Sequence, residues 1–284
     1  MLFKSRRAQR RALLAVALCA GAVGVVPAAA QATGSSNLSL PNVMTRNLYL
    51  GADLNPALAA LGCSPAPYCT LSTNQGIWNQ VVATNFPARA KVLAKEIDNS
   101  DPYIIGLQEV ALWRSGPVNG VKDAATVDYD FLAILLNELS ARGNKYKAIV
   151  TQQEADIESP AGSATASPPF SDAKDRRLTM RDVILVRTDL PSAIVSFSNP
   201  QSANYANYIS VPTGSTYGAI DFKRVWTSVD IKLLGHPVAR FVNTHLESAA
   251  SGYRQAQAAE LVGAFGTGPL LNPSFPAIIA GDLN

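Results

Sequence analysis

Polar side chains able to bind metal or move protons stand beside four apolar, strand-like runs of the sequence. Glu109, His245 and Asp282 come at or just after the ends of such runs, Asn47 lies within the first run, and Asn284 follows Asp282 by two residues. Strand ends on a rigid scaffold hold polar groups in fixed geometry. The order of these residues therefore indicates one site assembled from distant parts of the chain.

The residue types at these positions favour phosphate ester chemistry. Carboxylate and amide oxygens are the ligands that a hard cation such as Mg²⁺ prefers, whereas two histidines and three cysteines supply a zinc tetrahedron poorly. Ester cleavage requires neutralised charge, an oriented water and a protonated leaving group, tasks that a metal, Asp282 and His245 could divide. Taken alone, each residue also has a structural interpretation, as a backbone-bonding amide, a solvated strand end, a core histidine or a turn former.

The first 32 residues have the composition of a secretory signal peptide. Five of the 24 basic residues precede residue 33, where no acid occurs, and the uncharged run 12–26 is followed by Pro27 and three alanines. This run is shorter than the roughly 18 residues that a membrane-spanning helix needs, so we expect no stable membrane anchor. The sequence predicts a secreted protein with a single domain over 33–284, exported by the general or the twin-arginine route.

The charge balance argues against a broad nucleic-acid surface. Without residues 1–32 the chain has 19 basic and 21 acidic residues, so only a local patch could bind a phosphate backbone. Arg176, Arg177 and Arg181 are candidates for such a patch, and simple solvation on a loop is the alternative.

Two cysteines, Cys63 and Cys69, lie in a segment that offers neither histidine nor acid as a further metal ligand. In an oxidising compartment a disulfide across this predicted loop is the simpler interpretation, and a pair of free thiols is the alternative.

The elements around these residues alternate between short apolar runs and amphipathic stretches, which indicates an α+β domain. The segment 154–177 is rich in proline, serine and charge, which predicts a long surface loop, and 234–237 predicts a hairpin turn. Strands are predicted at 38–49, 103–108, 146–151, 183–187, 225–233, 238–244 and 275–280. Helices are predicted at 87–97, 128–142 and 252–265.

Three sequence blocks and one asparagine together resemble the endonuclease/exonuclease/phosphatase superfamily, the group that includes DNase I-like nucleases, neutral sphingomyelinases and inositol polyphosphate phosphatases. The blocks are DPYIIGLQE at 101–109, NTHL at 243–246 and GDLN at 281–284, and Asn47 matches the early asparagine of the family. Arg89, Arg181, Arg254 and Gln257 add weaker support by their spacing.

This resemblance implies a fold and a set of roles. The fold is a four-layer sandwich of two mainly antiparallel β-sheets flanked by helices. Glu109 becomes the principal Mg²⁺ ligand, with Mn²⁺ as a possible substitute, and Asn47 lies beside it. His245 binds phosphate or donates a proton, Asp282 orients or activates water, and Asn284 holds a phosphate oxygen.

The chain departs from the family pattern in one important respect. The family continues beyond the GDLN block to a closing Ser-Asp-His block, and no Asp-His dipeptide occurs in this sequence. The resemblance therefore leads us to expect a truncated member with an incomplete second sheet and weak or absent activity.

The combined expectation is a secreted Mg²⁺-dependent phosphoesterase that hydrolyses a phosphodiester by attack of water. Its substrate, nucleic acid or phospholipid, is undecided, and no protein partner is inferred. The alternative is an impaired fragment or a noncatalytic secreted binding protein on the same scaffold.

Overall fold

The computed structural model describes residues 42–61, 68–214, 216–264, 266–271 and 274–284. The predicted signal peptide over 1–32 and Cys63 lie outside these residues. Within them, no helix is both long and apolar enough to cross a membrane.

The first sheet collects six strands from the first two thirds of the chain. They are β1 Val43–Asn47, β2 Ile104–Gln108, β3 Leu112–Gly116, β4 Thr126–Asp130, β5 Tyr146–Ala161 and β6 Lys174–Arg187. The order is β1-β2-β6-β3-β4, and β5 also pairs with β6. Because β1 and β2 are parallel and in register from Val43 with Ile104 to Asn47 with Gln108, their carboxyl ends meet at one edge.

The remaining strands form a second sheet and a short separate ladder. They are β7 Val195–Asn204, β8 Ile209–Val211, β9 Ile220–Phe222, β10 Val225–Leu233, β11 His236–His245 and β12 Ala277–Asp282. The described part of the second sheet has the order β12-β11-β10-β7, and β8 pairs with β9. Leu234 and Gly235 have φ of 49° and 81° and close the β10–β11 hairpin as a two-residue turn.

Within the part of the chain that the structure describes, five helices flank the sheets. They are α1 Asn55–Ala59, α2 Tyr68–Ala83, α3 Phe86–Ser100, α4 Phe131–Ala141 and α5 Ser251–Leu261. In α3 the side chain of Asn85 accepts a hydrogen bond from the amide of Ala88, and Ala90, Ala94 and Ile97 lie on one buried face. The apolar spacing and the N-cap together explain why this segment is helical.

The layers are held by three apolar clusters. Ile104 and Ile184 of the first sheet pack against Val229 and Phe241 of the second. Helices α3 and α4 cover the outer face of the first sheet. Trp226 and Val242 of the second sheet pack with Leu261 of α5. The prediction of an α+β fold with two mainly antiparallel sheets flanked by helices is confirmed.

The predicted loop over 154–177 is too long, because both of its ends belong to strands. Strands β5 and β6 pair over fourteen register positions, from Tyr146 with Arg187 to Ala161 with Lys174, so only residues 162–173 connect them. Some of the charged residues that suggested a loop pair with one another across this ladder; Arg177, for example, pairs with Asp156 at 2.6 Å. A cross-strand ion pair makes charged sequence compatible with a strand.

Other boundaries also differ from the expectation. Within the described residues β1 begins at Val43, and β12 ends two residues later than predicted, so Asp282 belongs to the strand. The segment 128–142 divides between β4 and α4 at Asp130, whose carboxylate caps the helix. Cys69 lies in helix α2, which was not predicted; it is disulfide-bonded, and the pairing with Cys63 stays a prediction.

Gly106 lets the two sheets approach closely at the centre of β2. A Cβ atom at this position would lie 2.5 Å from Oδ1 of the buried Asn243 on the facing sheet. We expect Gly106→Ala to lower the free energy of unfolding by about 1–3 kcal/mol, because overpacking of this contact forces the sheets or Asn243 to move. Urea unfolding of the purified chain measures the change.

Gly76→Ala is the matched control. Nothing lies within 4 Å of a Cβ at Gly76 in helix α2, so alanine should leave stability unchanged or raise it by up to about 1 kcal/mol. Equal unfolding curves for Gly106→Ala and the unmodified chain would contradict the close contact between the sheets.

Candidate active site

Three side chains from three strand ends meet at one edge of the molecule. Asn47 Nδ2 donates a hydrogen bond to Glu109 Oε1 at 2.8 Å and another to Asp282 Oδ2 at 3.0 Å. Asn47 ends β1, Glu109 follows β2, and Asp282 ends β12 opposite His245 of β11. The structure thus brings Asn47, Glu109, Asp282 and His245 to the same end of the two sheets.

Glu109 is held in its place by the backbone. Its φ of 54° lies in the left-handed region, which costs a non-glycine residue about 1–3 kcal/mol and must be stabilised by the surrounding structure. This conformation turns the carboxylate toward the loop after β1, where the amide of Leu50 donates to Oε2 at 2.8 Å. Both carboxylate oxygens therefore have donors from the β1 end.

Two arginines fix the loops that carry these groups. The guanidinium of Arg89 donates to the carbonyls of Leu48 and Tyr49, immediately before the Leu50 amide. Arg181 donates to the carbonyl of Val110 at 3.0 Å and to Asp130 at 2.7 Å, beside Glu109. These arginines thus support the loops on either side of the Glu109 carboxylate.

Asp282 and Asn284 depend on the glycine before them. Gly281 has φ of 137°, and a Cβ there would lie 1.9 Å from the carbonyl oxygen of Thr244. The amide of Asn284 donates to Asp282 Oδ1 at 3.0 Å, and its side chain donates to the carbonyl of Leu246 at 2.8 Å. Asn284 thus braces Asp282 and the loop after β11, and its contact with a phosphate stays a prediction.

His245 is part of a buried charge cluster between the sheets. Its Nδ1 lies 3.3 Å from Glu154 Oε2, and Nη1 of Arg224 lies 3.2 Å from Nδ1 and 3.3 Å from Nε2. Arg224 also forms ion pairs with Glu154 and with Glu247. The cluster connects Glu154 in β5 of the first sheet to His245 at the end of β11 and to Arg224, which directly precedes β10 of the second sheet.

The cluster sets the charge of its members. Burial alone lowers the pKa of His245, but the charge and hydrogen bond of Glu154 outweigh it and raise the pKa to about 9. For Glu154, burial raises the pKa, and the opposing charges of His245 and Arg224 bring it below its usual value. At neutral pH the cluster therefore contains a carboxylate between two cations.

Asp182 is the third carboxyl of this interior. It is fully buried in β6, and neither of its side-chain oxygens has a hydrogen-bond partner among the described residues. Burial and the negative charge of Glu154 raise its pKa well above the usual value, which favours its uncharged form.

Glu154, Asp182 and His245 have donor atoms within 4.8 Å of one another, but this trio suits a metal ion poorly. Arg224 already provides the cation that faces Glu154 and His245.

Glu109 and Asp282 suit a hard divalent cation better, since both are acidic oxygen ligands at the strand-end site. The nitrogen of Asn47 faces these carboxylates, and its Oδ1 accepts from the amide of Tyr49 at 2.8 Å. Asn47 therefore links the acids here, and coordination by its oxygen stays a prediction.

Sequence reasoning missed Glu154, Asp182 and Arg224. Glu154 fell within the predicted loop, and the other two stand beside other charged residues in the sequence. The alternation of the apolar residues Leu178 and Met180 with polar neighbours was an available signal for the extended strand β6.

The remaining candidates have structural partners. Arg176 pairs with Asp128 at 3.4 Å, and Arg177 pairs with Asp156. Both arginines lie in strand β6, so the alternative of simple solvation on a loop is wrong. Binding of phosphate by Arg177 would have to compete with its ion pair. His236 is exposed at the hairpin.

Comparison with known proteins gives only distant similarity. No protein-family model matches the chain, and no curated protein matches it. The similar solved structures include TDP2 from Caenorhabditis elegans, at 19% identity and a TM-score of 0.36 over 70% of this chain and 43% of that one. The mannosyl-6-phosphatase of Bacteroides thetaiotaomicron has 16% identity and a TM-score of 0.36, over 70% and 57%.

A third similar structure carries the name of the family that the sequence motifs resemble. It is an endonuclease/exonuclease/phosphatase family protein from Bacteroides thetaiotaomicron, with 14% identity and a TM-score of 0.35 over 70% of this chain and 55% of that one. The chain spans about half the length of these structures.

The charge of His245 can be observed directly. The chain has two histidines, so the ring resonances of His245 and the exposed His236 can be separated in an NMR titration. We expect His245 to titrate near pH 9 and to titrate at least one pH unit lower in Glu154→Gln, because burial and Arg224 then act without the opposing carboxylate. An unchanged titration in the variant would contradict the pairing.

The same pair predicts a pH dependence of stability. The pKa of His245 is higher in the folded chain than the 6.5 of a free histidine, so protonation favours folding. The gain is complete below about pH 6.5 and is lost as the pH rises toward about 9, at about 1.4 kcal/mol per unit of pKa difference. Urea unfolding between these pH values should show this decline, and His245→Gln should lack it; parallel curves would contradict the assignment.

Proposed function

We propose that this chain belongs to a secreted, divalent-metal-dependent hydrolase of phosphate esters. One observation carries the proposal: Asn47, Glu109 and Asp282, which are 62 to 235 residues apart in sequence, are joined by hydrogen bonds, and a charged histidine stands opposite Asp282 in the adjacent strand. Two acids and a buried, charged histidine at one strand edge are not needed to stabilise the fold, and this favours a catalytic role for the group.

Glu109 and Asp282 would hold the cation, with Asn47 turned so that its oxygen takes part. Mg²⁺ is proposed because the set contains only oxygen donors, and Mn²⁺ is an acceptable substitute. When bound, such an ion neutralises phosphate charge and lowers the pKa of water.

The side chains of the chain itself would supply the remaining steps. Asp282 is proposed to orient the attacking water, since its carboxylate is fixed by the amide of Asn284 and by Asn47. His245 is proposed to contact the phosphate as a cation or to donate the proton that the leaving group needs. Glu154 keeps His245 protonated and fixes its ring, which makes Glu154 a positioning residue.

Metal binding is the first test of this proposal. Calorimetric titration of the purified chain with Mg²⁺ should give saturable binding that Glu109→Ala abolishes, because that substitution removes an acidic ligand. Glu138→Ala, on helix α4, is the matched control and should bind normally. A folded chain that binds no metal would overturn the proposal.

Hydrolysis separates the enzyme from a noncatalytic protein on the same scaffold. With Mg²⁺ and bis-p-nitrophenyl phosphate as substrate, we expect turnover that Asp282→Asn lowers at least about 100-fold, the usual contribution of a positioned proton-transfer group. Metal binding without turnover on this substrate, DNA or sphingomyelin would favour a binding protein.

Salt dependence distinguishes the two proposed substrate classes. If nucleic acid is the substrate, KM should rise at least about tenfold between about 50 and 200 mM salt, since backbone contacts release counterions. Cleavage of a zwitterionic phospholipid should change far less. A salt-independent KM on DNA would count against the nuclease.

A further inference from the structure

A cavity of about 460 Å³ lies between helices α1 and α2 and strands β5, β6 and β9. This volume is typical of pockets for small molecules. Its described lining is mostly apolar and aromatic and includes Leu54, Ile77, Trp78, Trp113, Leu178 and Phe222.

The cavity is separate from the candidate active site. Asn47, Glu109, His245 and Asp282 are not among its described lining residues. Trp113 is 4% exposed, and Trp78 contacts it edge-on at 5.9 Å between ring centroids. Aromatic and branched side chains around a space of this size favour a hydrocarbon occupant.

One polar group on the wall has an unused hydrogen-bond donor. The guanidinium of Arg176 lies 4.0 Å from the ring centroid of Trp78, and its Nη1 pairs with Asp128 at 3.4 Å. Its Nε is buried and has no hydrogen-bond partner among the described residues. The guanidinium side chain keeps 16% of its surface exposed, so the anionic end of a ligand in the cavity can meet its positive charge.

The two acids on the same wall already have partners. Asp156 lies 2.6 Å from Arg177 and 3.5 Å from both Arg114 and Lys122. Glu158 accepts hydrogen bonds from the backbone amide of Ala124 at 3.2 Å. The carboxylates are therefore compensated. Arg176 has a longer pairing, at 3.4 Å to Asp128, and is the cation on this wall that an anionic end can approach.

We propose that this cavity binds the hydrocarbon chain of a single-chain amphiphile whose carboxylate or phosphate end meets Arg176. The site goes beyond the proposed hydrolase function and does not depend on it. A fatty acid and an alkyl phosphate share the required chemistry, and comparison of the two distinguishes these sources.

A chain-length series tests the proposal in the unmodified protein. Hexyl, octyl and decyl phosphate, and the carboxylates of equal length, are titrated by calorimetry below their micelle concentrations. Each added methylene should tighten binding about fourfold, which corresponds to about 0.8 kcal/mol per buried methylene. The tighter series identifies the preferred anionic end. Inorganic phosphate and decyltrimethylammonium should bind at least tenfold more weakly than decyl phosphate.

Three substitutions locate the site. Ala57→Phe places a ring on the lining and should weaken decyl phosphate at least tenfold, whereas Ala83→Phe on the exposed end of α2 should not. Arg176→Gln should remove the preference for an anionic end and keep the dependence on chain length. Equal binding by both phenylalanine variants would overturn the location.

Quenching of tryptophan fluorescence in the unmodified chain tests the cavity without relying on variants that could fail to fold. Of the three tryptophans, Trp78 and Trp113 line the cavity, while Trp226 packs in another cluster. Decanoate brominated at its far end should quench the emission of the unmodified chain saturably, and decyl phosphate should reverse the quenching. No saturable quenching and no calorimetric binding would overturn the proposal.

Discussion

The ion pairs of Glu154 are the interaction on which the arrangement of this molecule depends. Glu154 belongs to the first sheet, and its two cationic partners, Arg224 and His245, belong to the region of the second sheet. Removal of such charges from water is costly, and the attraction between them compensates only when the geometry is maintained. The cluster therefore ties the relative position of the two sheets to the charge of the histidine beside the strand-end acids.

The pairing pattern of the strands explains why the acids meet. Among the described strands, the parallel neighbours are β1 with β2 and β11 with β12, and the candidate side chains lie at the ends of these two pairs. Parallel strands end at the same edge, so each pair delivers two polar groups together. Packing of the sheets through Ile104, Val229 and Phe241 then brings the two edges into contact.

The sequence predicted the strand ends well because short apolar runs followed by a polar residue are local signals. Glu109, His245 and Asp282 were found in this way, and Asn47 was found as an amide within such a run. Glu154 was not, since a buried carboxylate is stable only with Arg224, seventy positions away, and no local pattern reports such a partner. Likewise, α2 has just three buried side chains, too few for a recognisable apolar face, and the polar hairpin β5–β6 is stabilised by pairing across the ladder.

Gly281 shows how narrowly this edge is determined. Because any side chain there would collide with the backbone of Thr244, a substitution cannot be absorbed by a change of rotamer and must separate β12 from β11. The position of Asp282 thus depends on residue 281 having no Cβ atom. Many surface positions could be substituted without moving the end of β12, whereas only glycine is compatible with this geometry at position 281.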